Sequence, residues 1–335
     1  MTPEEILKLV DDKFFGSKSI FTDSDLSTGG LLNPKQFDKF VQKLIEKKLI
    51  LNECRVESGP EKQVKLDYIE FSSDVVQRPV AEGTEHTTTV KPTPTQIAIS
   101  AVEYIVAIDL GFSALRNSIE KENLEDSIMA MIAERTGSDF EAIGIYSDTT
   151  LGTADAYDLN DGWLKLGRVS HEVDHSSGNF ASTLVKTVPL FDNMIDALPT
   201  KHLDYSDVDA WRIYCHKYIE RLYRKWLVAV EAKINGTHSF LLENIPVTYE
   251  GFKLIGVPRW PRYTAGSPAA YYSKLMLTHP MNIIYYIQNE ITFNREAKWR
   301  KRQLEITGTA NVDFQIADND ACVVAKDVKH ALTTA

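Results

Sequence analysis

The chain has 335 residues, 43% of them hydrophobic and 25% charged, and a formal net charge of −10. This is the composition of a folded globular protein with room for two or three lobes, and it excludes a disordered chain. The acidic balance argues against a protein whose main task is gripping nucleic-acid phosphates, which needs Lys and Arg in excess. It leaves open a container whose inner wall need not bind its contents tightly.

The opening MTPEEILKLVDD is acidic and amphipathic rather than basic and then apolar, so no secretory signal is expected. Thr2, Pro3 and Glu5 supply a capping box, and Ile6, Leu9, Val10 and Phe14 form one stripe of a helix over 2–15. Residues 16–32 are rich in Ser, Asp, Thr and Gly and read as an extended arm. Asn33-Pro34 opens a second helix to about Leu49, followed by a short strand, Ile50 to Glu57.

Residues 58–95 change character, with scattered charge, few large apolar clusters and a TTTVKPTPT run. They read as a long two-stranded excursion. A lone hairpin is marginal in water, so something outside the excursion must hold it. Ile97 to Leu110 is β-prone, and a helix is expected from about Asn123 with Gly137 as its stop. Residues 148–182 look loop-dominated. Ser206 is expected to cap a helix over about 207–234, with Trp211, Tyr214, Cys215, Tyr218, Leu222 and Trp226 as its apolar stripe and Asn235-Gly236 as its end.

The two strand readings near the C-terminus are the strongest. From Leu304 to Ile316 every even position is apolar or small and every odd position polar. Successive strand side chains point to opposite faces, so this is a two-faced strand of roughly 40 Å. Ile283 to Phe293 precedes it. Strands this long suit a stiff, thin plate.

Three cysteines, Cys54, Cys215 and Cys322, are far apart and odd in number, which fits a reducing compartment without disulfides. No zinc spacing is present, and no run of about 18 apolar residues could span a membrane. The sequon Asn235-Gly236-Thr237 is then expected to carry no glycan. His171 and His175 sit in SHEVDHSSG, which lacks the HExxH order and reads as loop rather than as a metal pair. Asp204, Asp207 and Asp209 could together chelate a divalent ion, but Asp207 and Asp209 read rather as carboxylates loading the first turn of a helix. No phosphate loop or nucleophile elbow occurs.

Four segments, in this order, resemble the major capsid proteins of tailed bacteriophages, the Hong Kong 97 fold. They are TGGLLNPKQFDKFVQKLIEKKLIL (28–51), the polar excursion 58–95, the helix at 123–136, and PVTYEGFKLIGVPRWP with the long-stranded ending that follows it. The resemblance implies an α+β shell subunit, not an enzyme, with no cofactor. Its parts would be an N-terminal arm (1–32), a peripheral domain (33–57, 96–149 and 281–328, with a spine helix at about 123–136), an extended loop lying over a neighbour (58–95), an axial domain (150–280) and a tail (329–335).

The implied function is self-assembly of hexamers and pentamers into the icosahedral shell of a virion. The shell would enclose double-stranded DNA without sequence specificity and be built in the host cytoplasm, with no membrane. A portal protein, a separate scaffolding protein and, in some family members, a decoration protein would be partners. Lys62, Lys65 and Lys91 match no cross-linking motif, so no covalent cross-link is expected. The alternatives are an encapsulin-type compartment and, from another class, a soluble β-rich enzyme.

Candidate contacts between subunits are Arg78, Glu82 and Glu85 on the loop, and Arg295, Lys298, Arg300 and Arg302 in the densest basic patch, which also holds Lys301 and Trp299. The reading favours an acidic neighbour for that patch over packaged DNA. Ile6, Leu9, Val10 and Phe14 are candidates for contact with a scaffold or for packing of the arm.

Overall fold

A computed structural model of the chain describes residues 48–71, 75–76, 90–111, 124–152, 155–176, 187–205, 208–235, 247–265 and 270–330. The two helices expected before Leu49, the arm between them, and the tail from 331 onward lie outside the described residues.

The segment expected as one strand over 50–57 divides. It begins with a helical turn, α1 (Leu49–Glu53), and continues as β1 (Arg55–Gly59). The helical turn has no side-chain cap of its own. Its cap comes from 91 residues away, where a Glu141 carboxylate oxygen accepts the Ile50 amide at 3.0 Å. A cap from so far along the chain leaves no local signature.

The polar excursion is a two-stranded ribbon, β2 (Gln63–Glu70) antiparallel to β3 (Thr93–Ser100). It ends five residues later than expected and passes directly into β4 (Val102–Gly111). The next helix, α2 (Leu124–Tyr146), runs straight through Gly137. A single helical glycine costs about 1 kcal/mol relative to alanine. Burial of Ala133, Phe140, Ala142, Ile143 and Ile145 on both sides of it outweighs that amount.

Residues 148–182 hold only short elements among those described, chiefly α3 (Trp163–Leu166) and β5 (Glu172–Asp174). Then come α4 (Thr187–Asp196) and α5 (Thr200–Tyr205). The helix expected from 207 starts ten residues late. Arg212–His216 is a strand, β6, and α6 spans Lys217–Asn235, ending where expected. Trp211, Tyr214 and Cys215 therefore do not share a helical stripe. Tyr214 faces one core and Cys215 the other.

The remaining strands are β7 (Thr248–Tyr249), β8 (Phe252–Val257), β9 (Arg262–Ala265), β10 (Ala270–Thr278), β11 (Ile283–Lys298), β12 (Gln303–Ile316) and β13 (Cys322–His330). The long strands form a four-stranded sheet in the order β1-β11-β12-β4. Its backbone is the antiparallel β11–β12 hairpin, whose register shifts between Ile287 and Ile291.

The second sheet has seven strands, β5-β13-β10-β6-β8-β7 with β9 on β10. β13 thus belongs to this sheet and not with the long strands, with which the domain boundaries had grouped it. The second sheet is buried on both faces. Cys322, Val324, Tyr214 and Met276 face the core shared with α2 and the long strands. Val323, Ala325, Ile213 and Leu277 face α4 and α6. Burial on two faces makes β13 a continuous apolar run, as such strands are.

On β12 the even positions from Ile306 to Ile316 are buried in the common core, as their alternation predicts. One odd position departs from the pattern. Asp313, expected on the wet face, is only 4% exposed.

Candidate assembly surfaces

Two surfaces of this molecule are unusual. The first is the ribbon. Its root packs on its own chain: Ile99 and Ala101 are buried with Ile284 and Tyr286 on the outer face of the long sheet, and Val64, Leu66 and Ala317 lie against them. Arg55 on β1 donates a hydrogen bond from Nη1 to the Tyr68 hydroxyl at 2.8 Å and lies over its ring. The expectation that residues 58–95 are held only from outside is corrected at this end. Buried apolar area at the root does the holding.

Beyond the root the ribbon leaves its own core. Ile69 is 71% exposed and Val76 92%, with Phe71 and Val75 also out in solvent. Four exposed large apolar side chains within eight residues are a denser apolar group than the scattered ones of an ordinary exterior. The contact candidates expected on this excursion are charged, whereas the exposed large side chains described here are apolar. Ile69 carried a signal, because it is apolar on the strand face opposite to Val64 and Leu66. Arg78, Glu82 and Glu85 lie outside the described residues, as do Ile6, Leu9, Val10 and Phe14.

The second surface is the tip of the β11–β12 hairpin, which brings Lys298, Arg300 and Arg302 together in one turn. Arg295 is on β11 three residues before Lys298. Trp299 is 60% exposed at the tip, and Arg302 takes a left-handed backbone with φ 52°. Glu296 and Glu305 stand directly opposite each other in the ladder, a repulsive arrangement. Lys298 relieves it. Its ammonium hydrogen-bonds to Glu305 and lies 3.8 Å from Glu296, while Lys301 reaches Glu305 at 3.5 Å. These bonds hold Lys298 above the usual lysine range and Glu305 below the usual glutamate range. Lys298 is therefore satisfied within its own hairpin. Arg300 and Arg302 have no ion pair among the described residues.

The second sheet is tied to α2 by side-chain contacts. The Arg259 guanidinium, in the VPRWP segment, donates hydrogen bonds to Asp139 and, at 3.3 Å, to Ser138. The Trp260 indole N–H donates to the Lys274 carbonyl at 2.6 Å, and its ring stacks on Tyr214 at 6.4 Å. The segment is thus a clamp between the helix and the second sheet. Lys165 makes another clamp, 2.7 Å from both Asp148 and Asp161.

His171 and His175 flank strand β5 and share no helix face. His171 lies 3.7 Å from Asp320. Asp209 sits in a 3-10 turn before β6 instead of in the first turn of a long helix. Among the described residues no group of three or more His, Cys, Asp and Glu side chains converges as a metal site, and no helix is long and apolar enough to cross a membrane.

The architecture has relatives among shells. The chain of a satellite phage P4 procapsid that includes the size determination (Sid) protein superposes with TM-score 0.62 over 99% of both chains, at 12% identity. The capsid chain of the native GTA particle gives 0.57 over 85% of this chain and 90% of that one, at 14% identity. The fold is that of Hong Kong 97-type capsid proteins. An encapsulin of Synechococcus elongatus PCC 7942, in the holo-SrpI complex, shares this capsid fold at TM-score 0.51 and 10% identity, over 98% of this chain and 96% of that one. In sequence, the chain is similar to the "putative prophage capsid protein YqbE" of Bacillus subtilis (strain 168). The two are 28% identical over 317 residues, which is 93% of this chain and 97% of the relative. No family model matches the chain.

Proposed function

We propose that this chain is the major capsid protein of a tailed phage or prophage and assembles with many copies of itself into an icosahedral shell. The observation that carries the reading is likeness to a prophage capsid protein along almost the whole of both chains, in a molecule with the capsid fold and an apolar ribbon end that its own core does not cover. A neighbouring copy is the natural cover for that end. Contacts of this kind, repeated around five-fold and six-fold axes, close a shell, and modest individual contacts add up through multivalency.

In this reading the four-stranded sheet with α2 is the peripheral domain, the seven-stranded sheet with α3 to α6 is the axial domain, and the chain passes from the first to the second between β12 and β13. Double-stranded DNA is the content, a portal occupies one vertex, and a separate scaffolding protein guides assembly in the host cytoplasm. The exposed tip of the long hairpin, with Arg300 and Arg302, meets acidic groups of a neighbour.

Electron microscopy of the expressed protein, alone and with the portal, scaffolding and terminase genes of its own phage, tests this. Shell-sized particles that take up DNA are the expected result. Shells that enclose a protein cargo and no DNA would move the protein to the encapsulin reading, which the shared fold also supports. A small fixed oligomer under all conditions would overturn both.

A further inference from the structure

The ribbon leaves the long sheet at two roots, residues 60–62 and 100–101, and neither root is held by the sheet's own ladder. The β12–β4 ladder stops at Val312 and Val102. At the next residue the Ala101 amide turns away and donates to the Lys62 carbonyl at 2.9 Å. The Ser100 amide donates instead to a side chain, Asp313 Oδ2, at 2.7 Å. On the other root, the Tyr286 hydroxyl donates to the Glu61 carbonyl at 2.6 Å and Gln288 Nε2 donates to the Pro60 carbonyl at 2.9 Å. All three side chains project from the outer face of the two long strands.

We infer that Asp313, Tyr286 and Gln288 form a socket that sets the direction in which the ribbon leaves the sheet, with Asp313 as its main positioning residue. The inference rests on the capsid reading for its purpose, since a ribbon that must meet a neighbouring copy has to leave at a fixed angle. Its physics is independent of that reading. A backbone ladder would have continued β4 flat into the ribbon. Side-chain acceptors and donors let the chain turn at residues 100–101 and still satisfy the freed backbone groups, as burial demands.

The cost of burying a carboxylate here is visible. Asp313 is hidden beneath the ribbon root, its Oδ1 accepts the Phe314 amide at 2.9 Å, and Gln315 Nε2 lies 3.3 Å from Oδ2. Burial raises its pKa above the ordinary value, against those hydrogen bonds, and no cation is paired with it among the described residues. The other titratable group acting across the sheet is Tyr104. A buried carboxyl group that accepts the Ser100 amide of the ribbon root and the Phe314 amide of its own strand joins the two through one side chain.

The test uses the full-length subunit before assembly, carrying spin labels at Asp67→Cys on the ribbon and Asn294→Cys on the sheet. Asp313→Ala is expected to broaden the distance distribution between the labels and to speed amide exchange at Ser100 at least tenfold, with unchanged circular dichroism. Tyr286→Phe removes one of the two side-chain bonds at the other root and should broaden the same distribution. An unaltered distribution and unaltered Ser100 exchange in Asp313→Ala would overturn the inference, as would equal acceleration of exchange throughout the chain. Because these readouts need no shell, the socket is judged separately from the capsid reading, which fails if the parent protein never assembles.

Discussion

Glu141, in the C-terminal part of α2, caps the helical turn that begins the described chain by accepting the Ile50 amide at 3.0 Å. The carboxylate is buried, and burial raises its pKa above the ordinary value of 4.5 despite the amide bonds it accepts. Two opposed effects meet at one residue: the cap stabilises, and keeping a buried charge costs stability.

Removing the side chain leaves buried amides without an acceptor. Glu141→Ala is expected to destabilise the subunit by about 1–2 kcal/mol, measured by urea unfolding. Glu141→Gln keeps an acceptor and loses the charge. Because the folded carboxyl holds its proton more tightly than the unfolded one, its contribution falls as pH rises through the interval above 4.5. The Gln variant should lack that decline, so its stability relative to the parent rises with pH there. A constant difference between pH 4 and pH 7 would refute the assignment.

Acid stability tests the Lys165 clamp with the opposite sign. Burial pushes Asp148 up, but hydrogen bonds from Lys165 and Thr150 outweigh it and hold the carboxyl at about 2. Its contribution is present above the ordinary Asp value of 3.8 and is lost as pH falls toward about 2. Lys165→Met should cost about 1 kcal/mol at pH 7, and the difference from the parent should vanish near pH 2. Unfolding curves at the two pH values decide the matter.

Gly144 illustrates a contest between propensity and packing. An alanine would help the helix by about 1 kcal/mol. A Cβ there would come within 2.8 Å of the Trp163 ring and of the Phe314 ring, which themselves meet edge to face at 5.4 Å. Overpacking of this kind costs about 1–3 kcal/mol, and Trp163 is anchored by its indole hydrogen bond to the Ile284 carbonyl. Gly144→Ala is therefore expected to lower the melting temperature by several degrees. An unchanged or raised value would show that the rings shift freely.

At the hairpin tip, Arg300→Glu with Arg302→Glu should reduce shell yield while leaving the subunit's melting temperature unchanged. Lys298→Met should do the reverse, because Lys298 separates Glu296 from Glu305 within its own strand pair. Shell yield counted by microscopy beside a thermal melt separates the two. Wild-type yield from the double reversal would rule out the tip as a contact.

The alternation along β12 determined by itself that a long two-faced strand exists and which face is buried, because a strand's period of two is local. The same was true of the end of α6 at Asn235-Gly236 and of the two-stranded ribbon. The β6 segment was not legible. Trp211, Tyr214, Cys215 and Tyr218 fit helical spacing, and a strand buried on both faces has no period to set against it. Nor was the length of α2, because Gly137 breaks a helix only when packing on either side fails to hold it. Asp313 shows the limit most clearly. Its polarity said wet face, but the ribbon root folds onto that face and makes it a buried acceptor. Periodicity reports which side of an element is apolar. What the other side meets depends on segments hundreds of residues apart, and only the tertiary structure brings those together.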